Sequence, residues 1–241
     1  MVHMNNTIQL IVIAIIPVLF AIILHEVSHG YVAHIFGDDT AKNAGRLTLN
    51  PIKHIDPFGT ILLPLLLILV GSPFLFGYAK PVPVNFNGLK NPKRDTGFVA
   101  AAGPVTNFIL AFICFVFLKV ILFEYPVMNL YLAYFISHLH FQAVHGAPVF
   151  KFFVYPVTFM LFIGIMINII LGTFNLIPIP PLDGGRIAVS LLPEPFSGYL
   201  SKLEPFGIFL ILILLLIDPG NFLVVSFNFI VNDIVLKNLY F

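Results

Sequence analysis

The stretch ILHEVSHGYVAHIFG, residues 22–36, decides what kind of chain this is. It continues an apolar run, TIQLIVIAIIPVLFAIIL over residues 7–24, in which only Thr7 and Gln9 are polar. Nothing between Leu24 and Phe36 stops a helix, so one apolar helix carries two histidines and a glutamate in its middle. A charged side chain at the centre of a membrane helix costs about 2.5–3.5 kcal/mol even on the gentlest scale. A helix that keeps such groups there has a use for them.

Composition extends the membrane reading to the whole chain. Of 241 residues, 59% are hydrophobic and 10% charged, with a mean hydropathy of +1.00. Soluble globular domains are about a quarter charged, so this chain lacks the polar side chains to cover itself in water. Its first apolar helix is too long, and too poor in basic residues at its start, for a cleaved signal peptide. The single cysteine, Cys114, excludes an internal disulfide and a cysteine-rich metal site. A net charge of +1 with scattered Lys and Arg gives no nucleic-acid footprint.

Apolar stretches long enough to approach or cross a bilayer fall at roughly 8–36, 57–77, 98–123, 126–145, 153–175 and 205–236. The expectation is an all-α polytopic membrane protein with about six transmembrane segments, forming one intramembrane domain over 1–241. Pro64, Gly71 and Pro73 make 57–77 a short span or a re-entrant piece, and 126–145 turns polar toward its end. DPG at 218–220 divides the last stretch into a helix and a shorter one. Between the second and third segments, GYAKPVPVNFNGLKNPKRD (77–95) alternates apolar and polar around Pro81, Pro83 and an Asn-Gly turn. That pattern suits an extended or hairpin segment, which at membrane depth must be buried or wetted, and it could offer an edge to an extended peptide. If all six segments cross, Lys and Arg divide six against six, so charge does not orient the chain.

HEVSH places His25 and His29 four residues apart, one above the other on a helix face. Both imidazoles can reach one ion, and Glu26 can hold a water beside it: two zinc ligands and a general base. The competing account is a histidine pair satisfied by helix–helix hydrogen bonds. His34 lies about 140° around the helix from His29 and about 180° from His25, so it belongs to a different surface.

A catalytic zinc takes three protein ligands and a water. A histidine six residues past His29 would be position 35, which is Ile, and no Glu follows Glu26 before Glu124. Asp38 and Asp39 sit just past the end of the first helix, too close in sequence to fold back easily. Asp56 and Asp183 both flank apolar segments on the side where that helix ends. Asp183 has the better context, in FNLIPIPPLDGGRI (174–187), where three prolines and two glycines end the fifth segment and free backbone carbonyls. Upstream, Gly164, Asn168, Gly172 and Asn175 form a small, polar stripe suited to close helix packing. Asn175, beside the broken end, reads as functional.

HEVSH in an apolar helix, followed far downstream by NLIPIPPLDGG, resembles the site-2 protease family of intramembrane zinc metalloproteases. AAGPVTN (101–107) is similar to that family's Gly-Pro-x-x-Asn segment. The resemblance spans residues 25 to 185 and is to the small subgroup without a PDZ domain; no CBS pair is expected. It implies that His25, His29 and Asp183 bind one zinc per chain, that Glu26 is the catalytic base and that Asn175 is the active-site asparagine. It also implies peptide-bond hydrolysis in or beside the transmembrane segment of a single-span substrate, by a multi-pass protein of a prokaryotic cell membrane.

Two other classes compete. A divalent-metal transporter or channel would use the same histidines as a transit site and needs a second site, for which HLHFQAVH with His138, His140 and His145 is the candidate. A silent membrane chaperone would tolerate loss of Glu26. Glu26 discriminates the three, because only a protease needs both ligands and base.

Overall fold

The computed structural model describes residues 2–69, 78–138, 140–142, 147–207, 209 and 237. The main helices are α1 (Val2–Ile35), α2 (Thr40–Asn43), α3 (Leu63–Leu69), α4 (Pro92–Glu124), α5 (Val127–His138), α6 (Tyr155–Asn175), α7 (Asp183–Leu191) and α8 (Phe196–Ser201). Among the described residues there is no β-strand. Among the described residues, three helical stretches are long and apolar enough to cross a bilayer: Ile8–Ile35, Pro92–Glu124 and Phe150–Asn175.

The other three expected spans are described only in part. Helix α5 has 12 residues, about 18 Å at 1.5 Å each, which is too short to cross. Pro57–Leu62 forms a π-helical turn running into α3. The remainder of 57–77, and nearly all of 205–236 with its DPG break, lie outside the described residues.

The extended segment runs over 78–85, and Asn87-Gly88 falls in a single 3-10 turn, Phe86–Gly88. Helix α4 begins at Pro92, earlier than the expected start at 98. Proline suits the first helical position, where its missing N–H is not needed. Asp95 Oδ2 reaches back to accept from Asn91 N at 2.8 Å, as a capping side chain does.

The chain forms two compact units. One comprises the described parts of Met1–Ala21, Asn107–Phe174 and Phe209–Phe241. Its core gathers Leu118, Leu122, Met128, Leu132, Phe135, Phe159 and Ile165, with the Phe135 and Phe159 rings edge-to-face at 5.1 Å. Within it the small, polar stripe packs as expected. A Cβ at Gly164 would lie 3.0 Å from Cys114 Sγ and one at Gly172 3.1 Å from the Phe108 ring. Asn107 is fully buried and donates to Asn168 Oδ1 at 2.8 Å and to the Ala21 carbonyl at 3.3 Å. Asn168 in turn donates to the Gly164 carbonyl at 2.8 Å.

The second unit, Ile22–Thr106 with Asn175–Ile208, holds every candidate site residue of the first helix and of α7. Here 78–85 is fastened at both ends. Tyr78 N donates to Gly59 O at 3.1 Å and Lys80 N to His54 O at 2.9 Å. Arg46 Nη2 donates to Lys80 O at 2.8 Å, and Asn85 N to Asp38 Oδ2 at 2.7 Å. Burial would raise the Asp38 pKa, but donors from Thr40 and Asn85 outweigh it and hold the carboxyl below its ordinary range.

Asn107→Ala leaves Asn168 Oδ1 and Ala21 O without that donor. The unfolding midpoint in detergent should fall, with a loss of about 0.5–2 kcal/mol, measured by reversible denaturation.

Candidate metal centre

The site starts from α1. His25 and His29 stand one turn apart, with their Nε2 atoms 3.2 Å from each other and rings edge-to-face at 4.8 Å between centroids. The His29 ring is fixed from behind: Nδ1 lies 2.7 Å from the Val99 carbonyl of α4. A carbonyl can only accept, so Nδ1 carries the proton and Nε2 keeps its lone pair for a ligand. Ser28 is satisfied within the helix, its Oγ donating to the His25 carbonyl at 2.6 Å.

Helix α4 approaches this pair at Gly103. A Cβ there would lie 2.5 Å from both His25 Cε1 and His29 Nε2, so only a bare backbone fits. Pro104, next along, has no N–H to offer the Ala100 carbonyl four residues back. Glycine in a helix interior costs up to about 1 kcal/mol against alanine; close approach to the imidazoles is the return.

Asp183 arrives from the other end of the unit's sequence, as the first residue of α7. A carboxylate in the first turn is favoured by the helix dipole. The turn before it is tight: a Cβ on Gly184 would collide with the Leu176 carbonyl, and one on Gly185 with the backbone at Ile179–Pro180. Two glycines let the chain fold back from α6 and aim Asp183 at the histidines. Asp183 Oδ2 lies 3.2 Å from His25 Nε2 and 3.3 Å from His29 Nε2. Burial works against the charged form, and the two imidazoles outweigh it, so the carboxyl is held down at about 2.

The three ligand atoms form a triangle with edges of 3.2, 3.2 and 3.3 Å. Tetrahedral zinc with ligands at about 2.0–2.1 Å needs neighbouring ligand atoms roughly 3.3 Å apart. Asp183 Oδ2 is also buried without a hydrogen-bond partner. An orphaned buried carboxylate oxygen is costly unless a cation takes it up. Two nitrogens and one oxygen at this spacing therefore fit a zinc ion with a fourth position open.

A cavity of about 270 Å³ opens on the triangle, lined also by Glu26, Val82, Val84, Ala100 and Asn175. Glu26 Oε2 accepts from Val82 N at 2.9 Å. Arg186, one turn along α7 from Asp183, closes part of the rim, with its guanidinium carbon 5.0 Å from the Phe86 ring centre and Nη2 2.7 Å from Glu204 Oε1.

The remaining candidates are used elsewhere. His34 pairs with Asp39. Asp56 caps the turn that follows it, accepting from Phe58 N at 3.0 Å and Gly59 N at 2.7 Å. His138 and His140 lie near the backbone carbonyls of Tyr134 and His138; His145 lies outside the described residues. Among the described residues, His25, His29 and Asp183 form the only group of three or more potential metal ligands. Sequence reasoning missed the Val99 carbonyl, the Val82 amide and the need for Gly103. A Gly-Pro pair inside an apolar helix was a signal for the last.

The model of peptidase family M50 matches residues 13–217. The chain belongs to peptidase family M50, the site-2 protease family. YwhC of Bacillus subtilis, named as a candidate zinc metalloprotease, is 41% identical over 208 residues, covering 86% of this chain and 82% of that protein. Rip2 of Mycolicibacterium smegmatis, named likewise, is 29% identical over 203 residues, 84% of this chain and 65% of that protein. The zinc metalloprotease MJ0392 of Methanocaldococcus jannaschii is 26% identical over 199 residues, 83% of this chain and 39% of that protein. No solved structure matches the chain at the same stringency. The M50 chain is thus an integral membrane, zinc-dependent protease.

Gly103→Ala puts a methyl where both imidazoles stand. Metal analysis of the purified variant should give zinc far below one per chain, whereas Gly172→Ala, which meets only the Phe108 ring, should retain it.

Proposed function

We propose that this M50 protease hydrolyses a peptide bond within or beside the transmembrane segment of a single-span membrane protein. His25, His29 and Asp183 hold the zinc in this reading. The observation that carries it is the position of the ligands: His25 lies ten residues before the end of α1, inside the candidate span Ile8–Ile35. At 1.5 Å per residue that is about 15 Å along the helix axis, a depth at which the nearest peptide bonds belong to other membrane segments.

Held by these residues, zinc would supply a Lewis acid that lowers the pKa of a water in the cavity from 15.7 to about 7. Glu26 removes a proton from that water and delivers one to the leaving amine. Asn175, in the same cavity, donates to the oxyanion that develops on the substrate carbonyl. A helical substrate must unwind first, because its amides are hydrogen-bonded and shielded.

The extended segment supports capture of the unwound strand, with a restriction. Tyr78, Lys80 and Val82 point their backbone groups at the protein body, so the opposite edge belongs to Ala79, Pro81 and Pro83. Two of those three lack an N–H. A strand bound there is held through carbonyls of the segment, by donors of its own.

The test is cleavage of a single-span substrate by purified protein, stopped by a zinc chelator and restored by zinc. Glu26→Gln should keep the metal and lose cleavage. Asp183→Ala should lose the metal. Asn175→Ala should retain it and slow turnover by about 10²–10³-fold. Chelator-resistant cleavage, full zinc in Asp183→Ala, or substantial proteolysis by Glu26→Gln would each contradict these assignments. Substrates with Gly, Pro or Asn near the scissile bond should be cut faster than those with Leu or Ala there, because less helix must be unwound. Equal rates would remove the unwinding step.

A further inference from the structure

Glu26 and Gly30 lie four residues apart on α1 and therefore share a face. Both are used by one residue of the extended segment. Val82 donates its backbone N–H to Glu26 Oε2 at 2.9 Å. Its side chain fills the recess over Gly30, where an added Cβ would lie 2.7 Å from Val82 Cγ1. Val82 is 7% exposed. We propose that the Val82 amide is the positioning group for Glu26, so that the protease has a working base only while 78–85 is docked on α1.

The inference rests on Glu26 being the general base. A carboxylate on a helix surface has several rotamers, and a base must be held within a fraction of an ångström of its water. Among the described residues, the hydrogen bond from Val82 is the one this carboxylate accepts. An amide donor holds one oxygen in place and leaves the other to work. Lys80, two residues earlier, is tied to Arg46 and His54, and Asn85, three residues later, to Asp38. The amide at Val82 is therefore delivered by a segment anchored on both sides of it. Gly30 completes the device: a Cβ there would lie 2.7 Å from Val82 Cγ1, with Leu47 and Ala41 at 2.8 and 2.9 Å closing the other sides, so a side chain crowds Val82 away from Glu26.

The experiment measures kcat, KM and zinc content for full-length variants, on a short unstructured peptide and on a helical single-span substrate. Val82→Pro removes the N–H and should lower kcat roughly 10–100-fold on both substrates, with KM for the peptide little changed and zinc still near one per chain. Val82→Thr keeps the amide and the branched shape and should fall far less. Gly30→Ala keeps every polar group and should lower kcat in the same way by displacing Val82, which covers the case in which the proline variant does not fold. Normal kcat in both Val82→Pro and Gly30→Ala, equal losses in Val82→Pro and Val82→Thr, or a loss confined to KM for the helical substrate would overturn the proposal. An active Glu26→Gln would instead overturn the base assignment beneath it.

Discussion

A carboxylate oxygen 3.2–3.3 Å from two imidazole nitrogens, in a chain built largely of apolar helices, is the contact that the second unit is arranged around. Three polar atoms so close, with Asp183 Oδ2 unpaired by any hydrogen bond, are expensive in apolar surroundings. They become favourable when they share a cation. Each neighbouring element removes an obstacle to that meeting. Helix α4 gives up a side chain at Gly103 and lends the Val99 carbonyl to orient His29. The first turn of α7 gives up two, at Gly184 and Gly185, so that the chain before it can fold back.

The same economy governs polar groups away from the metal centre. Asn107 and Asn168 satisfy each other and two backbone carbonyls in the first unit. In the second, the Arg46 and Asp38 side chains and the His54 carbonyl bond the backbone of 78–85. An extended segment has no hydrogen bonds of its own, so it keeps one shape only when side chains and loops supply them. Here they fasten one edge, and the prolines at 81 and 83 strip donors from the other.

Much of the site was legible because it obeys local rules. The four-residue spacing of His25 and His29 fixes their common face whatever the tertiary structure, and the unusual polarity of HEVSH in an apolar run marked the helix. The broken-helix context of Asp183 favours it over Asp56, and the structure gives Asp56 a capping role instead. Helix boundaries were less legible. Pro92 reads as a breaker in an alternating stretch, yet it opens α4, because the capping contact of Asp95 with Asn91 depends on folding. The 126–145 stretch is apolar enough to suggest a span, but α5 ends at His138. Contacts made by backbone atoms, such as Val82 N with Glu26 and Val99 O with His29, leave no mark in side-chain pattern at all. They join residues 56 and 70 positions apart.

The central claim is that one zinc sits on His25, His29 and Asp183. X-ray absorption at the zinc edge of purified protein tests it most directly. Zinc on these three residues gives a shell of nitrogen and oxygen at about 2.0–2.1 Å, with the outer-shell scattering of two imidazoles, which should disappear with the metal in Asp183→Ala. A sulfur neighbour at about 2.3 Å, or an undisturbed spectrum and full zinc in Asp183→Ala, would contradict it.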